Sequence, residues 1–249
     1  NDSDQNLEII EDRFRKALDK LLSRASKFEY NKVLFVLGND YFNSDSLHNS
    51  TTSGTPQHED AEWRVTYRLG CAMAMDGMDL IRKYRNVPVD VMMVPGNHDQ
   101  QRSFYLGEHL ATTFRNDDSV KVINDDTPRK YYKHGRVFLG FTHGVNEKDA
   151  SLPMLMATQG RHYGYNEDVR FAEWHVGHHH KKRKTKHSIQ INREDSMNEE
   201  FGINVRRVSA ITSSDSWHEM KGYSGNVKAG EAFIWNAEEG LVANLNCCV

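Results

Sequence analysis

The chain has 249 residues, of which 38% are hydrophobic and 27% charged, with a formal net charge of -3. That length suffices for one large domain with a substantial core, and the composition is ordinary for a soluble protein. No apolar run approaches the roughly 20 residues that cross a bilayer, no basic-then-apolar leader is read at the start, and net charge alone gives no reason to expect nucleic acid or a membrane surface. Cys71, Cys247 and Cys248 form an odd set with two neighbours, which is no disulfide framework. A reducing compartment, the cytoplasm, is therefore expected.

Residues 1–6 are polar and are expected to fray. Leu7, Ile10, Phe14, Leu18 and Leu21 recur at helical spacing and predict an amphipathic helix ending near Lys27. Residues 32–37 read as a buried strand that stops at Gly38-Asn39-Asp40. Residues 43–60 are rich in Asn, Ser, Thr, Gly and Asp without a period, and a loop of that length beside Asp40 is expected at the rim of a site. Trp63, Tyr67, Cys71, Ala74, Met78 and Ile81 form one face of a helix over about 60–84, with Met73, Met75 and Met78 as core filler. Val89 to Val94 is the clearest buried strand; Pro95-Gly96 breaks it, Asn97-His98-Asp99 follow, and a helix is predicted from about Gln101 to Phe114.

The second half is richer in strands. Residues 120–123, 130–134 and 136–141 read as short strands, with a hairpin turn at His134-Gly135, and the third runs into Thr142-His143-Gly144. Residues 149–157 and part of 158–170 are predicted helical. Residues 171–176 form a strand that ends in Gly177-His178-His179-His180, and further strands are predicted at 185–192, 203–211, 231–236 and 240–246. The order suggests two packed sheets with helices outside; no internal repeat or boundary appears, so residues 1–249 read as one α/β domain.

Four strands thus end in metal-ligand chemistry: Asp40, Asn97 with His98, His143, and His178 with His180. Any one such ending is ordinary, because an apolar strand must stop at something polar; all four together are not. Strand-like alternation sends residues 178 and 180 to one side and 179 to the other, with Gly177 permitting a tight turn.

Gly38-Asn39-Asp40, Gly96-Asn97-His98-Asp99, His143-Gly144 and Gly177-His178-His179-His180 resemble, in order and spacing, the motifs of the calcineurin-like metallophosphoesterases. More loosely, they resemble phage and bacterial members of the DNA-repair exonuclease type. The resemblance implies a four-layer α/β/β/α sandwich of two mixed sheets with the site at the strand ends. It implies two divalent metal ions, Mn, Fe or Zn, bridged by Asp40; Asn97, His143 and His178 would complete one shell and His180 would serve the other. His98 would be the general acid that protonates the leaving alkoxide, with Asp99 either charge-stabilising it or capping the next helix.

The family's leading Asp-x-His strand is not found before the first helix, and one residue separates Gly38 from Asp40 where the family has none. Two readings follow: the sequence begins downstream of that strand, or the second metal shell is incomplete and one ion is bound. The family position three residues after the bridging aspartate is Asn43, which leaves the partner of His98 open.

Lys181, Lys182, Arg183, Lys184 and Lys186 read either as a solvated hairpin tip or as a patch for DNA or RNA. Arg206, Arg207 and Trp217 are candidates for substrate contact. The function expected is a phosphodiesterase or nuclease. The alternatives are a phosphomonoesterase or protein phosphatase, and a non-catalytic scaffold that binds metal or nucleic acid.

Overall fold

The structure, a computed structural model, describes residues 7–59, 61–178, 183–189, 201–211 and 228–248. It is a mixed α/β arrangement. Helices α1 (Leu7–Ala25), α2 (Trp63–Tyr84) and α3 (Gln100–Thr113) alternate with strands β1 (Val33–Gly38), β2 (Val89–Val94) and β3 (Val120–Ile123). These strands form a parallel sheet in the order β1-β2-β3. Strands β4 (Lys130–His134), β5 (Val137–Thr142), β6 (Phe171–Val176), β7 (Arg183–Ile189) and β8 (Phe201–Arg207) form a second sheet, ordered β4-β5-β6-β8-β7. Its centre is parallel and its two outer strands are antiparallel. A 3-10 turn at Asp149–Ser151 and helix α4 (Leu152–Thr158) lie between β5 and β6.

The expectation of two sheets needs a correction. Strands β9 (Ala229–Asn236) and β10 (Gly240–Cys248) pair with one another as a separate hairpin. Both sides of it are used: Cys247 packs with Ala17 and Leu21 of α1, while Phe233 and Trp235 lie against the ring of His175. Strand pattern alone carries no information about which neighbour a strand chooses.

β2 shows how the interior is divided. All six of its residues are buried. Alternation along a strand sends Val89, Val91 and Met93 to one core with Met78, Ile81, Leu106 and Leu110 of the helices. It sends Met92 and Val94 to another core with Val137, Leu139 and Phe141 of β5. A third core joins Phe138, Trp174, Ile203 and Val205 to Leu152 and Met156 of α4. Met73 and Met78 are buried, as the helical spacing predicts, and the hairpin turn falls at Gly135, where φ is 57°. Among the described residues no helix is long and apolar enough to cross a membrane. Cys71, Cys247 and Cys248 are free thiols.

One ion pair sits inside this packing. The side chains of Glu173 on β6 and Arg206 on β8 are 1% and 7% exposed, and two guanidinium nitrogens of Arg206 reach the two carboxylate oxygens of Glu173. His175 Nε2 lies 3.3 Å from Glu173 Oε1. Burial alone would raise the Glu173 carboxyl, but His175 and Arg206 outweigh it and hold it down to about 2. A depressed carboxyl stabilises the fold above its ordinary value of 4.5 and loses that contribution as pH falls toward 2. Urea unfolding followed from pH 5 to pH 2 should therefore show about 3 kcal/mol of stability lost through this group. That share of the acid sensitivity should vanish in Glu173→Gln. Arg206→Met, which takes from a buried carboxylate its guanidinium partner, should cost about 3–5 kcal/mol at neutral pH.

Candidate metal centre and its rim

β1 and β2 run parallel, as do β5 and β6, so each pair presents its carboxyl ends on one side. In open α/β sheets ligands gather outside such ends. Asp40 stands just past β1, Asn97 past β2, His143 immediately past β5 and His178 past β6. Three of the residues that make these turns have left-handed backbones without being glycine: Asn39 (φ 63°), Asp40 (φ 65°) and His178 (φ 61°). Each such residue costs on the order of 1–3 kcal/mol and persists only where its surroundings dictate it.

Gly177 was expected to make the turn beside the histidines; the left-handed residue is instead His178. The role of Gly177 is clearance, because a Cβ there would meet the Asn39 amide at 2.3 Å. Gly96 likewise yields to its neighbour: a Cβ on it would meet Asp40 Oδ1 at 2.0 Å and Asp40 N at 2.3 Å. The two glycines let separate loops touch.

The donors meet at His143, which is 4% exposed. Its Nε2 lies 2.6 Å from Asn97 Oδ1, 3.0 Å from His178 Nδ1 and 3.1 Å from Asp40 Oδ2. Its Nδ1 donates to Asn39 Oδ1. An imidazole nitrogen carries at most one hydrogen, which serves one acceptor, whereas here three groups with lone pairs surround one atom. A cation satisfies all of them together. The ligating atoms of Asp40, His143 and His178 lie within 4.8 Å of one another, and their mix of carboxylate, amide and imidazole suits Mn, Fe or Zn. The residues present therefore fit a divalent metal.

Asn39 is the residue that sequence reasoning passed over. By accepting from Nδ1 of His143 it holds that ring in the tautomer whose Nε2 lone pair faces the cluster, the usual second partner of a metal-bound histidine. The available signal was its position as the extra residue between Gly38 and Asp40.

His98 stands on the other side of Asp40. Its main-chain N–H donates to Asp40 Oδ1 at 2.9 Å, and its ring Nδ1 lies 3.0 Å from the main-chain oxygen of Asn43. A carbonyl only accepts, so Nδ1 carries the hydrogen and Nε2 is left for another partner. That identifies the contact left open by the sequence: a peptide oxygen of residue 43 rather than its side chain.

Asp99 is wholly buried, and its carboxylate accepts from Phe42 N–H at 3.0 Å, Gly96 N–H at 3.0 Å and the Ser103 hydroxyl at 2.7 Å. These contacts tie the loops after β1 and β2 to α3. Although Asp99 occupies the position before α3, its side chain caps no N–H of that helix. Burial first, and then the charge of Asp40, push its carboxyl up to about 6; burial also raises Asp40. The N–H groups at the start of α3 are taken by the long loop, Gln101 and Arg102 by the Asp45 carboxylate and Gln100 by Thr52 Oγ1.

The substrate candidates fare differently. Arg206 is committed to Glu173 beneath the ring of Phe233, so its assignment to substrate contact is corrected to a structural one. Arg207 meets Asp149 through two nitrogens at 2.5 and 3.2 Å and reaches Gly177 O at 3.5 Å. It thereby links the segment following His143 to the turn that carries His178. His180, Trp217, Lys181 and Lys182 lie outside the described residues. His48 and His58 are exposed.

No protein-family model matches the chain, and no curated protein matches it either.

If Asn39 sets the ring of His143, Asn39→Gly, which tolerates the left-handed backbone, should weaken binding of Mn or Zn by about 10–100-fold in a calorimetric titration. Asn39→Asp, which keeps the acceptor, should retain tight binding.

Proposed function

We propose that this protein is a metal-dependent phosphoester hydrolase of the calcineurin-like type, acting as a phosphodiesterase or nuclease. The observation that carries the reading is the convergence of Asp40, Asn97, His143 and His178 on one point at the ends of four strands. The order and spacing of the motifs around them support the same class. We also read the three cores as the interior of a four-layer α/β/β/α sandwich: helices against β1 and β2, β2 against β5, and the far side of the second sheet against α4. The free thiols support a cytoplasmic setting.

In this reading Asp40, Asn97, His143 and His178 would hold one divalent cation; a second would fall to Asp40 with His180, which lies outside the described residues. Bound there, the metal supplies a Lewis acid for a phosphoryl oxygen and makes water nucleophilic near neutral pH. The remaining work falls to the chain. Asn39 holds the His143 ring, and Asp99 fixes the loops of Asp40 and Asn97 in relation to each other. His98, with Nδ1–H held by the Asn43 carbonyl, would act in its doubly protonated form, giving the Nε2 proton to the leaving oxygen as the P–O bond breaks and remaining as the neutral Nδ1–H imidazole.

Mn should stimulate hydrolysis of bis-p-nitrophenyl phosphate and of DNA, and His143→Ala should lose both the metal and the activity. His98→Ala should keep its metal yet lose about 10²–10⁴-fold on DNA, whose alkoxide leaving group needs a proton, and less on the nitrophenyl ester. A monoester hydrolysed faster than either diester would shift the reading to a phosphomonoesterase or protein phosphatase. Metal bound without any hydrolysis would make the chain a metal-binding scaffold.

A further inference from the structure

The long loop after β1 is closed by its own side chains. Asn43 Nδ2 donates to His58 O at 3.0 Å, and the Ser44 hydroxyl donates to Glu59 Oε1, so residues 43–44 are fastened to 58–59 as in a compact Ω-type loop. Into that closure α3 inserts one side chain. Arg102 is 5% exposed; its guanidinium donates to Ser44 Oγ at 2.9 Å and Ser46 O at 3.0 Å, and lies 3.6 Å from Glu59 Oε1. Its main-chain N–H donates to Asp45 Oδ1 at 2.9 Å. A buried guanidinium stripped of these partners is costly, so the loop and Arg102 hold each other. The segment locked in this way begins at Asn43, whose carbonyl holds His98 Nδ1.

We infer that Arg102 is a positioning residue for His98: by locking the 43–59 loop it fixes the Asn43 carbonyl, which sets the orientation of the His98 ring. The inference rests on the reading of His98 as the proton donor. It predicts an effect that follows the need for a proton rather than the integrity of the fold. Without the lock the ring rotates, its proton is misdirected, and only poor leaving groups suffer.

The test uses two methyl aryl phosphodiesters that differ in leaving group, p-nitrophenoxide or the more basic phenoxide, with metal affinity and melting temperature recorded for every variant. Arg102→Met should lower kcat about 10-fold or more on the phenyl ester and less than about 3-fold on the nitrophenyl ester, with KM and metal affinity unchanged. Arg102→Lys should recover part of the loss. Adding His98→Ala to Arg102→Met should cost nothing beyond His98→Ala alone on the phenyl ester, because the two act through one ring. Glu59→Gln, which removes a charge but little volume, should show the same leaving-group preference and replaces Arg102→Met if that variant fails to fold. Equal losses on both esters, or losses that multiply with His98→Ala, overturn the inference. If His98→Ala discriminates between the esters and neither loop variant does, this inference alone falls. If His98→Ala is itself indifferent to the leaving group, the proton-donor reading falls and takes the inference with it.

Discussion

Around His143 Nε2 a carboxylate oxygen, an amide oxygen and a second imidazole nitrogen approach to 3.1 Å or less. Burying apolar side chains is non-directional and does not aim lone pairs at a common point. Some other constraint must fix the turns, and two of them, after β1 and after β6, run through left-handed residues that are not glycine. Strain of this kind gathers where an arrangement serves a ligand rather than the fold. The rest of the molecule can be understood as what is needed to hold those turns. β2 is buried on both faces and paired on both edges, which makes it a rigid post for Gly96 and Asn97. β5 and β6 do the same for His143 and His178.

Two kinds of support act on the turns, and they divide by distance. Close in, Asp99 ties Phe42, Gly96 and Ser103 together with three hydrogen bonds from a fully buried carboxylate. Farther out, Arg207 joins Asp149 to Gly177, and Arg129 joins the Glu147 carboxylate at 2.7 Å. Charged side chains therefore brace the segment after His143 at two places. Polar networks of this sort specify a geometry when every member has a partner, and they cost heavily when one member is removed. This is why Arg206 and Arg207, adjacent in the chain and alike in chemistry, differ in what they do. Strand alternation points one into the packed interior against Glu173 and leaves the other at the edge of the candidate site.

Much of this was legible in the sequence, for reasons that can be named. Val89 to Val94 is apolar throughout and bounded by Pro95-Gly96, and the strand occupies those residues. The helix of the first residues ends at Ala25, close to the expected end near Lys27. The convergence of Asp40, Asn97, His143 and His178 followed from one repeated rule, a polar ligand just past a buried strand. What escaped were the individual contacts between residues distant in sequence. Nothing local marks Asn39 as the acceptor for a histidine 104 residues away. Nothing local reveals that Asp45 closes the start of α3, or that β9 and β10 choose each other over the second sheet. The sequence marks Gly96 and Gly177 as points where the chain turns, but not what crowds them. Gly96 and Gly177 are needed for closeness between loops, and only the packed structure reveals which atoms come close.

The long loop has an asymmetry with an evolutionary consequence. Its two ends are pinned to each other and to α3, but residues 53–56 at its tip are exposed; at Gly54 there is open space for a side chain, although its left-handed backbone (φ 89°) favours glycine. Lengthening such a tip carries a small entropic penalty, about 0.6 kcal/mol for each doubling of loop length. Residues 51 and 52, whose N–H groups donate to Thr55 O at 2.8 Å and Asn97 O at 3.3 Å, belong with the pinned base, so added length is tolerated best at the exposed residues beyond them. The length of the tip and the geometry of the base are therefore separable units of variation in this chain.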